Sequence, residues 1–174
     1  SDTRESVDVL LADVCLNAEH GAALAGITRA LVEVMVRQWS EGIAPATTSV
    51  AELRASSWWA AVNGLEGKLM SPRTRRLGAV GDVVLELLEL VRPVLREYDE
   101  YGHVAAVIRD MLQHGNGSRS QRNAYALKQD PHDVVADALR RTHDPNHSQG
   151  VPGAILSETW VLNDTEQLPI AASW

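Results

Sequence analysis

Few side chains in this sequence are spaced as a reactive or metal-binding set requires. His143 and His147 stand four residues apart, a spacing that lets two imidazoles hold one metal ion from a single turn of helix. Pro145 lies between them and cannot continue a helix, so we interpret the pair as part of a loop. The single cysteine, Cys15, follows an apolar segment and is better interpreted as a small buried hydrophobe than as a nucleophile.

The overall charge and the absence of familiar catalytic motifs exclude several classes of function. The formal net charge of -7 argues against nucleic acid as the main partner, because phosphate binding needs a clustered excess of Lys and Arg. One basic run, Arg73 to Arg76, is interpreted as a solvated loop. The sequence contains no phosphate-cradling glycine loop, no nucleophile elbow and no zinc-type cysteine pair.

Length and composition are those of one globular domain. The chain has 174 residues, of which 45% are hydrophobic and 22% are charged. No apolar run approaches the roughly 20 residues of a membrane span, and no signal peptide opens the sequence. Together with the single cysteine, this predicts a cytoplasmic protein without a membrane partner. Ser1 is what removal of an initiator methionine would leave, so we expect a complete gene product.

The first element that must position any site is a strand near the N-terminus. Residues Ser6 to Val14 are rich in Val and Leu, with acidic side chains at Asp8 and Asp13, and predict one buried strand. No convincing second strand follows, and a solitary strand leaves both rows of its backbone amides and carbonyls unpaired. We therefore expect this strand to complete a sheet whose other strands belong to another chain.

The remainder predicts about six helices, so the fold class is mainly α. The longest helix begins after the N-cap Asn17, and apolar residues share one of its faces. These residues are Leu24, Ile27, Leu31 and Val34 or Met35. Ser49 and Glu52 form a capping box for the second helix, which stops at Asn63. The segment from Leu65 to Leu77 is interpreted as a surface loop or short hairpin.

Four further helices are predicted, over residues 80–98, 103–113, 118–129 and 131–142. Pro93 lies inside the first of them and is expected to bend it or to start a new segment there. On the second helix of the chain, Trp58 and Trp59 point about 100° apart. We expect one of these indoles in the core and the other at an interface, where tryptophan dominates binding energy.

Residues 143–174 form a Pro/Gly-rich C-terminal tail that differs in character from the helices. The tail carries several large apolar side chains, namely Trp160, Leu162, Ile170 and Trp174. We expect it to be docked on this chain or on a neighbour, since apolar groups of this size favour burial.

The order of four stretches resembles the C-terminal half of the carboxylate-amine ligases of the glutamate-cysteine ligase type 2 family, in the glutamine synthetase superfamily. The stretches are Ser6 to Cys15, Trp58 to Leu65, Leu87 to Leu95, and Gly117 to Arg122 followed by Asp133 to Leu139. The resemblance implies an α+β half-domain over residues 1–142, with most of its sheet in an absent N-terminal half.

The resemblance also implies a chemistry, in which ATP phosphorylates a carboxylate and an amine attacks the acyl phosphate to form an amide. Such a reaction needs Mg²⁺ on acidic ligands and arginines against the phosphates. Carried over by position, Gln121 and Arg122 are the implied catalytic residues, Trp58 and Asn63 the cofactor-binding residues, and Asp8 the metal ligand. The alternative for Arg122 is an arginine on the helix surface without a functional role. The alternative for Asp8 is an edge or pocket carboxylate held by hydrogen bonds.

Two motifs depart from the family pattern. The strand in such ligases carries an acidic residue and, two positions on, an arginine, whereas this chain has Asp8 and Leu10. The pattern Trp-Arg-Ala-x-Arg is replaced by the apolar run Trp58 to Val62. Each lost charge-stabilising donor costs roughly 3 to 4 kcal/mol of transition-state energy.

We therefore predict a degenerate, mainly structural ligase subunit, a pseudoenzyme. It would work with an N-terminal-half protein partner in a hetero-oligomer, or as a homo-oligomer. The alternative from another class is a non-catalytic helical module for protein-protein interaction.

Overall fold

Six helices and one two-stranded hairpin make up the part of the chain that the computed structural model describes, Val9 and residues 14–143. In chain order they are α1 (Ala18–Ser40), α2 (Val50–Asn63), β1 (Lys68–Met70), β2 (Leu77–Ala79), α3 (Val80–Glu97), α4 (Tyr101–His114), α5 (Gly117–Lys128) and α6 (Pro131–His143). The prediction of a mainly α fold with about six helices is confirmed.

Helix starts follow the capping residues that the sequence provides. The side chain of Asn17 accepts a hydrogen bond of 2.8 Å from the amide of Glu19 at the start of α1. Ser49 and Glu52 make both bonds of the predicted capping box at the start of α2. Asp130 likewise caps α6 through its carboxylate. These side chains satisfy amides that have no partner within the helix, which is why the helices begin where they do.

Pro93 lies within α3, which continues through it without restarting. Proline removes one backbone donor from the helix, and the carbonyl of Glu89 loses its usual partner. Pro93 is on the exposed side of α3, where water can bond that carbonyl. The alternative that a new segment starts at Pro93 is therefore wrong, and the expected bend stays a prediction.

The core lies where α1, α3 and α4 meet. Its buried members are Ala23, Ile27, Ala30 and Val34 from α1, Leu88, Val91, Val94 and Leu95 from α3, and Val104 and Ala105 from α4. Val91 and Leu95 are completely shielded from solvent. Burial of these side chains supplies the main stabilisation of the three helices.

The predicted inner face of α1 is only partly right. Ile27 is buried as predicted, whereas Leu24 and Met35 are each 43% exposed. Ala23 and Ala30 face the core instead, at 1% and 0% exposure. Because α1 carries apolar residues on two sides, periodicity could not decide which side is inside. The small alanines leave room for a neighbouring helix to pack closely.

Ion pairs flank the contact between α1 and the end of α3. Arg37 donates to both carboxylate oxygens of Glu97, at 2.7 and 2.6 Å. Hydrogen bonds from Arg37 lower the pKa of the Glu97 carboxyl, with the guanidinium charge acting in the same direction. Arg29 reaches Glu100 at 2.5 Å. These groups are well exposed, so the pairs orient the helices more than they stabilise them.

The hairpin corrects the expectation that no strand follows the N-terminal segment. β1 and β2 pair antiparallel, with Leu69 opposite Gly78 and Met70 opposite Leu77. Each strand has only three residues, too few to display the alternation that marks a strand in a sequence. The hairpin interpretation of residues 65–77 is confirmed.

The N-terminal strand stays a prediction. Apart from Val9 and Val14, residues 6–14 lie outside the described part of the chain, and these two belong to no helix or strand. Val14 is 95% exposed in this chain, so its expected burial in a sheet shared with another chain stays a prediction. Residues 144–174, which include almost all of the predicted tail, also lie outside the described residues.

None of the described helices combines the length and the apolar character that are needed to cross a bilayer.

Leu95→Ala will test the three-helix core. Leu95 is fully buried, so the cavity and the lost burial should lower the free energy of unfolding by about 3 kcal/mol. Leu127→Ala is the matched control, since Leu127 is 83% exposed and its truncation should cost under about 0.5 kcal/mol. Urea denaturation followed by circular dichroism measures both; equal losses would contradict this core.

Candidate functional site

The end of α2 and the start of α5 lie beside each other, and both carry residues implied by the ligase resemblance. Asn63 ends α2, and Glu66 follows it in the turn before β1. Arg119, in the first turn of α5, places its Nε 3.4 Å from Oε1 of Glu66. This ion pair joins the turn after α2 to the first turn of α5.

Asn63 has a local structural task. Its Nδ2 donates to the carbonyl of Trp59 at 2.8 Å, inside the last turn of α2. Gly67 approaches so closely that a Cβ added there would lie 2.5 Å from the Cβ of Asn63. The amide therefore helps end α2 and return the chain into β1. Its implied contact with a cofactor stays a prediction.

Trp58 and Trp59 form an edge-to-face pair, with ring centroids 6.1 Å apart and planes at 61°. Trp58 is 62% exposed and Trp59 38% exposed, so neither lies in the core. The expectation that one of them is a core residue is wrong. The reason is the placement of α2, which packs on β1 and has no buried residue within the described structure.

Gln121 and Arg122 lie on α5. The Arg122 side chain is exposed, and its Nη1 donates to Oγ of Ser118, one turn earlier, at 2.6 Å. Gln121 is half-buried. Among the described residues, only the Ser118 hydroxyl holds this exposed guanidinium, so it can turn toward an anionic group without breaking an ion pair to any of them. Their catalytic role stays a prediction, as does the role of Asp8, which lies outside the described residues.

Asp137 was missed by the sequence analysis, although it is the one acidic residue buried in the described structure. Its carboxylate accepts hydrogen bonds from Ser120 at 2.7 Å, Arg141 at 2.9 Å and Arg140 at 3.3 Å. Burial by itself would raise the pKa of Asp137. The hydrogen bonds from Ser120 and Arg141, with the two arginine charges, instead bring the pKa below its ordinary value.

The position of Asp137 links α5 to α6, because Ser120 belongs to α5 and both arginines to α6. The available signal was an aspartate followed by arginines three and four residues later on one helix, where such side chains are neighbours. This cluster holds two helices together and leaves no carboxylate oxygen free of a partner for a metal ion.

The basic run at the hairpin tip is solvated, as predicted. Arg73, Arg75 and Arg76 are all exposed. Arg75 has a positive φ of 53° and donates to the carbonyl of Thr47 at 2.6 Å, which ties the turn to the segment before α2. The run therefore stabilises the local fold and leaves positive charge at the surface.

Two shallow cavities lie along α1. The first, of about 380 Å³, is an apolar groove lined by Leu31, Val32, Met35, Val36 and Trp39. The second, of about 310 Å³, lies between α1 and α4 and includes the Arg29–Glu100 pair and His103. His103 Nε2 is 3.1 Å from Glu19 Oε2. Because its charged groups are already paired, the second cavity offers little for an ionic ligand.

Metal ligands do not converge in the described part of the chain, where no three His, Cys, Asp or Glu side chains form a possible site. His143 ends α6 with its Nδ1 2.9 Å from the carbonyl of Leu139. His147, the other histidine of the pair considered as metal ligands, lies outside the described residues. The described residues therefore do not fit a magnesium centre.

Comparison with known proteins identifies the class to which these segments belong. The family model described as glutamate-cysteine ligase family 2 matches residues 2–145. The chain belongs to this family, which confirms the resemblance drawn from its four stretches. No solved structure matches the chain.

Curated relatives share the matched region. The protein named "Putative glutamate--cysteine ligase 2" of Streptomyces coelicolor is 39% identical over 137 residues, covering 79% of this chain and 38% of that protein. "Putative glutamate--cysteine ligase 2-3" of Paenarthrobacter aurescens is 37% identical over 152 residues, 87% of this chain and 34% of that protein. The matched segment thus spans well under half the length of these relatives.

Acid will loosen α5 from α6. The pKa of Asp137 lies below its ordinary 3.8 in the folded chain, so its ionised form contributes stability above pH 3.8. That contribution is lost as the pH falls from 3.8 through the lowered folded pKa. At pH 7, Asp137→Asn should cost about 2 kcal/mol, because hydrogen bonds to a charged group are lost. Urea titrations from pH 7 to pH 2.5 measure the difference.

The difference between the native chain and Asp137→Asn should shrink below pH 3.8. Glu41→Gln, at an exposed carboxyl beyond α1, is the control and should show a far smaller difference at pH 7. A difference between the native chain and Asp137→Asn that stays constant over the whole pH range would refute the role given to the Asp137 carboxylate.

Proposed function

We propose that this chain is a subunit of an ATP-dependent carboxylate-amine ligase and supplies the C-terminal half of that enzyme. The single observation that carries the proposal is the family match over residues 2–145. The related alignment with the Streptomyces coelicolor protein, over 137 residues, covers only 38% of that protein. The complementary N-terminal half is supplied by a partner chain, and the complex acts in the cytoplasm.

The proposed reaction forms an amide bond in two steps. A carboxylate oxygen attacks the γ-phosphorus of ATP, which releases ADP and leaves an acyl phosphate. The amine nitrogen then bonds to the acyl carbon, the carbon–oxygen bond to phosphate breaks, and the amine loses a proton. Both steps concentrate negative charge, so they need cations fixed in advance.

This chain supplies few of the cations that the reaction needs, and we assign it a degenerate, mainly structural role. Trp59 and Val62 are exposed apolar residues where the family pattern has arginines. Arg122, with Gln121 beside it, is the proposed contact with the nucleotide or substrate, and Trp58 and Asn63 flank the same region. Asp8 is the metal ligand assigned to this chain, and the described residues add no ligand set for Mg²⁺, so the partner supplies most of the contacts to the metal and the nucleotide.

A second function is favoured by one observation, the lack of any buried residue on α2 in the described structure. A helix that carries tryptophans and has no buried residue is suited to binding another protein. In this alternative the chain is a non-catalytic interaction module, and nucleotide has no effect on it.

Thermal unfolding with and without Mg·ATP separates the two functions. The partner in the assay is the part of the Streptomyces coelicolor relative that lies outside the 137 matched residues. For the mixture, a nucleotide concentration of about 100 Kd should add roughly 2.7 kcal/mol of stability, which raises Tm by several degrees. The proposed function also expects ADP release and amide formation when the mixture receives a carboxylate and an amine.

Variants of the chain sharpen this assay. Arg122→Gln should reduce the nucleotide-induced shift in Tm, because it removes an exposed cation from the proposed contact. Arg109→Gln, at an exposed arginine on α4, is the matched control and should keep the full shift. A mixture that associates but gains no stability from Mg·ATP and releases no ADP would support the interaction module instead.

A further inference from the structure

α2 is the clearest anomaly among the described elements. Apolar side chains occur on all its sides, yet none of its 14 residues is buried by the described part of the chain. The exposed large members are Val50 at 64%, Leu53 at 56%, Trp58 at 62%, Trp59 at 38% and Val62 at 62%. A helix that is apolar all round is ordinarily buried, and contiguous exposed apolar groups of this kind mark binding surfaces.

α2 is nevertheless held in a defined position. The capping box fixes its first turn, and Asn63 with Gly67 fixes its last. Its main contacts are with β1, and the adjoining turn is tied to α5 by Arg119 and Glu66. The helix is therefore presented by the hairpin and stands apart from the three-helix core.

We propose that α2 is the docking helix for the part of the ligase fold that lies outside the region matched here, with Trp58 and Val62 as its anchors. The inference rests on the proposed function and assigns its subunit interface to a surface. The occupant is an apolar surface of the N-terminal half, the part outside the matched region in the relatives.

One observation favours that occupant over a second copy of the chain. The relatives carry most of their length outside the region matched here, and that extra chain must pack against the matched region in a single folded protein. Within the described structure, α2 and α5 both lack a buried residue, but α2 carries five large exposed apolar side chains and α5 only two. The indole pair of Trp58 and Trp59 supplies a large, rigid contact of the type that dominates hot spots.

The binding experiment uses the full chain and the non-matching part of the Streptomyces coelicolor relative, mixed in a calorimeter. Trp58→Ser and Val62→Ser should each weaken binding at least tenfold. Leu127→Ser, at an apolar residue of α5 that is 83% exposed, is the control and should change Kd less than twofold. Failure to bind, or equal affinities for all variants, would overturn the proposal.

Measurements on the free full chain identify the other occupants. Light scattering that shows a dimer abolished by Trp58→Ser would assign α2 to a second copy. Urea denaturation of the free Trp58→Ser chain should match the native chain, because the indole is exposed. A substantial loss of stability there would mean that other residues of the same chain already cover α2. Either result overturns the proposal.

Failure of the interface and failure of the function give different results. Binding that depends on α2 but brings no ADP release keeps the interface and removes the ligase role. Nucleotide-dependent activity in a complex that is indifferent to Trp58→Ser keeps the ligase role and removes the interface.

Discussion

Close packing of α1 against α3 is the contact on which the rest of this fold depends. Ala30 and Val91, one on each helix, are both fully shielded from solvent, and Leu95 and Val104 continue the same core. Small side chains on α1 leave space for the branched side chains of α3, and dense interiors of this kind tolerate little change in volume. The arginines of α1 then pair with acids at the end of α3 and the start of α4, which fixes the relative positions of the three helices.

This arrangement has an unusual consequence for the surface. α1 directs Ala23, Ile27, Ala30 and Val34 toward the core, whereas its outer groove is lined by Leu31, Val32, Met35, Val36 and Trp39. Trp39 is 74% exposed. The groove and α2 together expose many large apolar side chains, although the core of the described chain is small. A segment that matches well under half of its relatives would carry such surfaces where the rest of the fold packs.

Helix boundaries could be predicted because they depend on short-range chemistry. Asn17, Ser49 and Asp130 each bond an amide two or three residues away, and the neighbouring sequence is enough to show it. The choice of buried face on α1 could not be predicted, because both of its sides are apolar and only α3 decides between them. The hairpin could be predicted only as an alternative to a loop over residues 65–77, because strands of three residues are too short to show a period.

At the candidate site, too, some features could be predicted from the sequence and others could not. The family could be recognised from the order of its motifs, and Gln121 and Arg122 were placed correctly on one helix. The core position expected for one of Trp58 and Trp59 failed, because tryptophan is hydrophobic enough for either a core or an interface. Asp137 was missed because its burial arises from the packing of α5 on α6, which no local pattern specifies.

The capping box of α2 bears on how fast a complex can assemble. An isolated amphipathic peptide must fold into a helix as it binds. The loss of conformational entropy on ordering weakens and slows its association. With its first turn already closed by Ser49 and Glu52, α2 meets an incoming surface in its final conformation. Recognition by such a preorganised helix is governed by collision and orientation, and the conformational penalty has already been met during folding.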